Sequence, residues 1–112
     1  MQISFGEVES FKTVALAGRL DSANIGKIEG QFSAGVVAGG KSTLVDLTEV
    51  EFLASLAVRM LISSARALAS RGGKLVMYGA NPAVLDTIET MGFDDIVPLA
   101  ASQSDAIALL RA

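Results

Sequence analysis

A serine at the start of an apolar helix is the residue of this chain whose position best suits chemistry. Within Leu44–Leu61, which reads LVDLTEVEFLASLAVRML, a short apolar strand ends in Asp46, an acidic turn follows, and Ser55 opens the helix. The first N–H groups of a helix lack intrahelical acceptors and lie in a positive field, so they favour a phosphate. The sequence therefore predicts that Ser55 is either a phosphorylated switch or a plain helix N-cap, a position that serine favours in any protein.

The composition argues against an enzyme. The chain of 112 residues contains no cysteine and no histidine, which excludes thiolate metal sites and removes the usual general base at neutral pH. The net charge is −3 and the basic residues are scattered, which argues against nucleic acid as a partner. We therefore expect a binding protein with no catalytic residue, no metal and no cofactor.

One stretch imitates a nucleotide-binding loop. Gly35–Ser42 reads GVVAGGKS, and these letters fit the G-x-x-x-x-G-K-(S/T) motif. A P-loop leads from a strand into a helix, whereas this segment is predicted to run from a helix into a strand. Nucleotide hydrolysis through Lys41 is therefore disfavoured.

The length and hydropathy predict one cytoplasmic domain. The chain is long enough for a single core over residues 1–112. The longest uncharged runs, such as Gly30–Gly40 and Leu75–Leu85, are about half of the roughly 20 residues that a membrane span needs. The N-terminus lacks a basic region followed by an apolar run, so no signal peptide is expected. We expect no direct membrane insertion.

Hydropathy and capping residues predict strands alternating with helices. The predicted strands are Ile3–Val8, Thr13–Ala17, Ser42–Leu47, Lys74–Tyr78 and Ile96–Leu99. The predicted helices begin after Ser22 or Asn24, at Ala57 (ending at Ser70), at Asn81-Pro82 with Val84, Leu85 and Ile88 buried, and at Ser102 (ending at Leu110). The order β-β-α-β-α-β-α-β-α indicates an opening hairpin followed by right-handed crossovers between parallel strands.

Several local patterns, in this order and spacing, resemble those of the STAS domain family of anti-sigma factor antagonists. They are Leu16–Asp21 (LAGRLD), Leu44–Val50 (LVDLTEV), Phe52–Ser55 (FLAS), Gly73–Val76 and Met91–Phe93. The resemblance covers nearly the whole chain. It implies the STAS fold, an α/β structure with a mixed, mostly parallel sheet of about five strands and helices packed on it.

The resemblance also implies a function and its partners. In that family, an anti-sigma factor with serine-kinase activity phosphorylates a serine that corresponds to Ser55, which releases the antagonist, and a serine phosphatase restores it. The implied partner-binding residues lie at the ends of two predicted strands and at the starts of the helices that follow them: Asp21, Ser22, Asn24, Asp46, Ala54, Ser55, Leu56 and Arg59.

The turn itself departs from the family pattern. The family reads D-S-(S/T)-G, whereas this chain reads Ala54-Ser55-Leu56-Ala57. An alternative function follows, in which the domain is a permanent scaffold subunit of a larger assembly without a phospho-switch. An ABC-type lipid transport complex or a stressosome-like complex would be such an assembly.

Two aspartates have alternative interpretations. Asp46, predicted to lie beside Ser55, either contacts the kinase or its nucleotide-bound metal, or accepts backbone N–H groups of the following turn. Asp21 either caps the first helix or belongs to the docking face.

Overall fold

A computed structural model describes residues 2–112. The strands are β1 (Gln2–Val8), β2 (Phe11–Leu20), β3 (Thr43–Leu53), β4 (Leu75–Tyr78) and β5 (Leu99–Ala100). The α-helices are α1 (Ser22–Val37), α2 (Ser55–Ala69), α3 (Pro82–Met91) and α4 (Gln103–Arg111), and a 3₁₀ turn, Ala38–Gly40, follows α1. The element order is the predicted one, and the predicted α/β architecture with a mixed, mostly parallel sheet of five strands is confirmed.

The five strands form one sheet in sequence order, β1-β2-β3-β4-β5. β1 runs antiparallel to β2, and the other neighbours are parallel. Right-handed crossovers that always advance in one direction place their helices on a single face of the sheet. The main core lies on that face, where α1, α2 and α3 cover β2, β3 and β4.

The opposite face is covered only in part. The final helix, α4, packs Ala106, Ile107 and Leu110 against Leu44, Val76 and neighbouring residues of the sheet. Since α4 is nine residues long, this smaller core reaches only Val8 of β1 and Phe11 of β2. The rest of β1 and β2 and the second half of β3 lie outside it on this face.

Several element boundaries differ from the sequence predictions. α2 begins at Ser55 rather than Ala57, and β5 is Leu99–Ala100 rather than Ile96–Leu99. Pro98 precedes β5, and its carbonyl accepts the N–H of Met77 at 2.8 Å. Leu85 was predicted to be buried but is 37% exposed, so Val84 and Ile88 alone form the buried side of α3.

The largest correction concerns β3. The predicted strand ended at Leu47 and was followed by an acidic turn, whereas the strand continues to Leu53. Where β3 pairs with β2, the three-residue step from Asp46 to Glu49 lies opposite a step of two residues on β2. The two-residue step from Val50 to Phe52 then lies opposite a step of one residue on β2. These two β-bulges each add one residue to β3, and a bulge strengthens the local twist.

Candidate functional site

Two chain segments meet at the edge of the sheet where the parallel strands β2 and β3 end. The N–H of Ala54, which follows β3, donates to the carbonyl of Leu20, the last residue of β2, at 2.9 Å. This bond places the start of α1 beside the start of α2. It therefore brings together all the predicted partner-binding residues except Asp46.

The start of α2 is uncapped. Ala54 occupies the N-cap position with extended backbone angles and has no capping side chain. Its carbonyl accepts the N–H groups of Ala57 and Val58 at 3.0 and 3.1 Å. The N–H groups of Ser55 and Leu56 precede those that α2 itself can pair. The interpretation of Ser55 as an N-cap is wrong, because Ser55 is the first helical residue and its side chain is exposed.

The start of α1 is capped by Asp21. The Asn24 N–H donates to Asp21 Oδ1 at 3.0 Å, so neither Ser22 nor Asn24 is the N-cap. Ser22 is the exposed first residue of the helix. The Asn24 side chain donates from Nδ2 to the carbonyl of Arg19 at 3.0 Å, which fixes the loop between β2 and α1.

Two residues of this edge were missed as candidates by the sequence analysis. Arg19 and Phe52 face each other across β2 and β3, and the Arg19 guanidinium carbon lies 4.6 Å from the centroid of the Phe52 ring. Arginines stack on aromatic faces at such distances. The Arg19 Nε atom also lies 3.8 Å from Asp21 Oδ2. The pairing depends on the bulged register, which no local sequence pattern specifies.

Exposed apolar side chains flank Ser55. Phe52 is 39% exposed and Leu56 is 37% exposed. Exposed aromatic residues and arginines are typical of protein-protein contact sites. We define Arg19, Phe52, Ser55, Leu56 and Arg59 as the docking edge.

Asp46 does not lie beside Ser55. Seven further residues of β3 follow Asp46, and at about 3.3 Å per residue they separate Asp46 from the end of the strand by roughly 20 Å. Asp46 Oδ1 accepts the N–H of Thr48 at 2.9 Å and the Thr48 hydroxyl at 2.7 Å. The carboxylate thus accepts a backbone N–H group within the first bulge of β3, which agrees with the interpretation that it accepts N–H groups of the residues that follow it.

Gly79 completes the support of that bulge. Its φ is +81°, a value that L side chains rarely adopt. A Cβ atom at Gly79 would lie 2.4 Å from Thr48 Cγ2. The chain after β4 therefore passes the bulge at a distance that only glycine permits.

Tyr78 lies near Asp46 on the side of the sheet covered by α4. Burial raises the pKa of the Tyr78 phenol, and the Asp46 carboxylate raises it further. Gln103 Nε2 donates to the phenol oxygen at 3.2 Å and partly offsets these effects. This polar group joins β3, β4 and α4, and it lies apart from the docking edge.

Other features of the described chain bear on alternative functions. Gly35–Ser42 runs from α1 through the 3₁₀ turn to β3, as predicted, and Lys41 Nζ lies 3.7 Å from Glu7 Oε2. Among residues 2–112, no group of three or more acidic side chains could hold a metal ion. No helix in that range is both long and apolar enough to cross a membrane.

Comparison with known proteins gives consistent results. The family model described as "Mlab, STAS domain" matches residues 3–98. BtrV of Bordetella bronchiseptica, assigned as an anti-sigma factor antagonist, is 27% identical over 111 residues, which cover 99% of this chain and 96% of BtrV.

Solved structures agree with this result. An anti-sigma factor antagonist from Mycobacterium paratuberculosis superimposes with a TM-score of 0.87 at 25% identity, over 99% of this chain and 94% of the other. Unphosphorylated SpoIIAA shares the fold, with a TM-score of 0.77 at 19% identity over 98% and 96%. The phosphorylated form of SpoIIAA, a Bacillus cell fate determinant, has a TM-score of 0.69 at 17% identity over 98% and 100%.

These relatives are regulatory binding proteins rather than enzymes. The family match covers most of the chain, and the antiparallel pair followed by parallel strands is the arrangement that the family resemblance implied. The chain belongs to the STAS domain family, alongside bacterial anti-sigma factor antagonists.

Proposed function

We propose that this protein is an anti-sigma factor antagonist that is switched by phosphorylation of Ser55. In its unphosphorylated form it binds an anti-sigma factor with serine-kinase activity through the docking edge. The kinase phosphorylates Ser55 and thereby releases the protein, and a serine phosphatase reverses the step. All of this takes place in the cytoplasm.

The observation that carries the proposal is the position of Ser55. Its side chain is exposed at the first residue of a 15-residue helix whose N-terminus has no capping side chain. Phosphorylation adds about −1.5 to −2 charges at neutral pH. The free N–H groups and the helix dipole stabilise that charge in the isolated protein.

The neighbours of Ser55 explain why the same charge would oppose binding. Phe52 and Leu56 are exposed apolar side chains on either side of it. A partner that covers them must also remove water from the phosphate, and burial of an unpaired charge is unfavourable. Phosphorylation is therefore expected to stabilise the free protein and to weaken its complex.

The test begins with mass spectrometry of the protein purified from its own cells, with the phosphate located by fragmentation. Condition-dependent phosphate on Ser55 is the expected result. Binding of the cognate anti-sigma factor should fall by at least tenfold in Ser55→Asp and remain in Ser55→Ala. Ser63→Asp adds the same charge at an exposed position of α2, two turns away, and should bind like the unmodified protein.

Two outcomes would contradict the switch. The first is equal binding by Ser55→Asp and Ser55→Ala. The second is the absence of phosphate on Ser55 under growth, starvation and stress alike.

A permanent scaffold subunit is the second candidate, and the sequence of the turn favours it. Ala54 and Ala57 replace the aspartate and the glycine of the family pattern, and a scaffold has no kinase that must recognise them. A lipid transport complex or a stressosome-like complex would then co-purify with the protein whatever the state of Ser55. Neighbouring genes for a transporter, rather than for a kinase-type anti-sigma factor, would support this candidate.

A further inference from the structure

We propose that Arg59 is the counter-ion of phosphorylated Ser55, and that phosphorylation withdraws Arg59 from the partner. This inference rests on the phosphorylation proposed above and adds the residue through which it acts. The switch would then change two charges of the docking edge at once: a dianion appears, and a cation is neutralised.

The spacing of the two residues supports the pair. Ser55 is the first residue of α2 and Arg59 follows four residues later, with both side chains exposed. Residues at i and i+4 have Cβ atoms about 5–6 Å apart, and an acidic group N-terminal to a basic one is the better orientation. Helical side chains also lean towards the N-terminus, so the Arg59 side chain leans over the turn that begins with Ser55.

Arg59 has no competing partner among residues 2–112. The three ion pairs found there use other basic residues, and the first turn of α2 contains no acidic residue. The guanidinium is therefore available both to a partner carboxylate and to a phosphate on its own helix. Arginine suits the phosphate, because its planar fork can donate two parallel hydrogen bonds to phosphate oxygens.

The other charges around the start of α2 act in different directions on a phosphate there. Glu51, two residues before the end of β3, and Asp21, the N-cap of α1, carry the same sign of charge as a phosphate and favour its less charged form. Arg19 stacks on Phe52 and lies near Asp21, so its charge is already shared. Arg59 is thus the basic residue within one helical turn of Ser55 that can favour the dianion.

The experiment places phosphoserine at position 55 of the full chain by genetic code expansion and titrates it by ³¹P NMR. The second pKa of a free phosphoserine is about 6. We expect Arg59→Gln to raise the pKa of the phosphate by about 0.3 relative to the unsubstituted protein, the size expected for one i,i+4 ion pair. Arg59→Lys keeps the charge without the fork and should give a smaller rise.

Arg66→Gln is the matched control. Arg66 is exposed on the same helix and its loss changes the net charge equally, but it lies about 16 Å along the axis from Ser55. Its phosphate should titrate like that of the unsubstituted protein. The proposal is overturned if Arg59→Gln leaves the titration unchanged, or if Arg66→Gln shifts it equally.

This result is independent of the proposed function, because no kinase takes part in the measurement. Absence of phosphate on Ser55 in cells would contradict the proposed switch but not the proposed ion pair. An unshifted phosphate titration in Arg59→Gln would contradict the role of Arg59 but not the proposed switch. Exposure of Arg59 makes unfolding of its variants unexpected, and circular dichroism of each variant checks this.

Discussion

The start of α2 differs from the starts of the other three α-helices in the described chain. Asp21 caps α1, Asn81 caps α3 and Ser102 caps α4, with bonds of 3.0, 2.9 and 3.2 Å to the N–H three residues on. At α2 the corresponding residue is Ala54, which has no side-chain acceptor. Among the α-helices of residues 2–112, only the one that carries the proposed phosphate begins without a capping side chain.

The difference shows two uses of the same physical property. A capping oxygen satisfies N–H groups permanently and so stabilises the fold. A helix start without one keeps that stabilisation available to a group that arrives later. The edge of the sheet where β2 and β3 end therefore combines a capped helix start, at Asp21, with an uncapped one, at Ser55.

Removal of the one capping side chain that also bonds a neighbouring strand should have the largest effect on stability. Asn81 caps α3 and also donates from Nδ2 to the carbonyl of Val50 at 3.0 Å. Asn81→Ala loses both bonds and should lower the free energy of unfolding by about 2 kcal/mol. Urea denaturation measures the change. Ser102→Ala loses one cap and should cost about half as much, and equal losses would show that the bond to Val50 contributes nothing.

Addition of a cap should stabilise α2. Ala54 has the extended backbone angles of an N-cap residue, so Ala54→Asp should raise the free energy of unfolding by about 1 kcal/mol, or Tm by roughly 4 °C. Scanning calorimetry checks this. Ala54→Leu leaves the helix start open and provides the control. A fall in Tm for Ala54→Asp would contradict the prediction that the first N–H groups of α2 lack an acceptor.

Loss of the Ser55 hydroxyl should have the smallest effect. Since Ser55 follows the N-cap and its side chain makes no cap bond, Ser55→Ala should change the free energy of unfolding by less than about 0.5 kcal/mol. Urea denaturation beside Asp21→Ala, for which we expect a loss of about 1 kcal/mol, gives the comparison. A loss at Ser55 as large as that at Asp21 would restore the interpretation of Ser55 as a cap.

The sequence was sufficient to predict the order of elements and the fold, because the apolar runs and helix-stop glycines are local signals. It also placed Ser55 at the start of a helix. It could not place the helix start to the residue, because Ala54 or Ser55 becomes the N-cap according to where β3 ends. In the same way, the end of β2 selects Asp21 over Ser22 and Asn24.

The full length of β3 was not predicted, and the reason is specific to this strand. Its buried residues Leu47, Val50 and Leu53 are spaced by three, whereas a regular strand buries every second residue. Each interval of three contains one bulge residue, and bulges arise from pairing with β2 rather than from local sequence. The prediction that Asp46 lies beside Ser55 failed with the length of β3, and the Arg19–Phe52 pair was missed because of the bulged register.

The two bulges of β3 also determine which face of the sheet each later side chain of the strand occupies. One added residue exchanges the faces of all later side chains in a strand, and a second restores them. Asp46, Glu49 and Phe52 accordingly stand opposite Ala15, Ala17 and Arg19 in turn. Loss of one bulge residue within Leu47–Glu51 would therefore remove a bulge and leave Phe52 opposite Arg19, whereas a one-residue insertion without a third bulge would send Phe52 into the core and Leu53 to the surface. Natural variation in the length of this segment by one residue should therefore coincide with the gain or loss of a bulge.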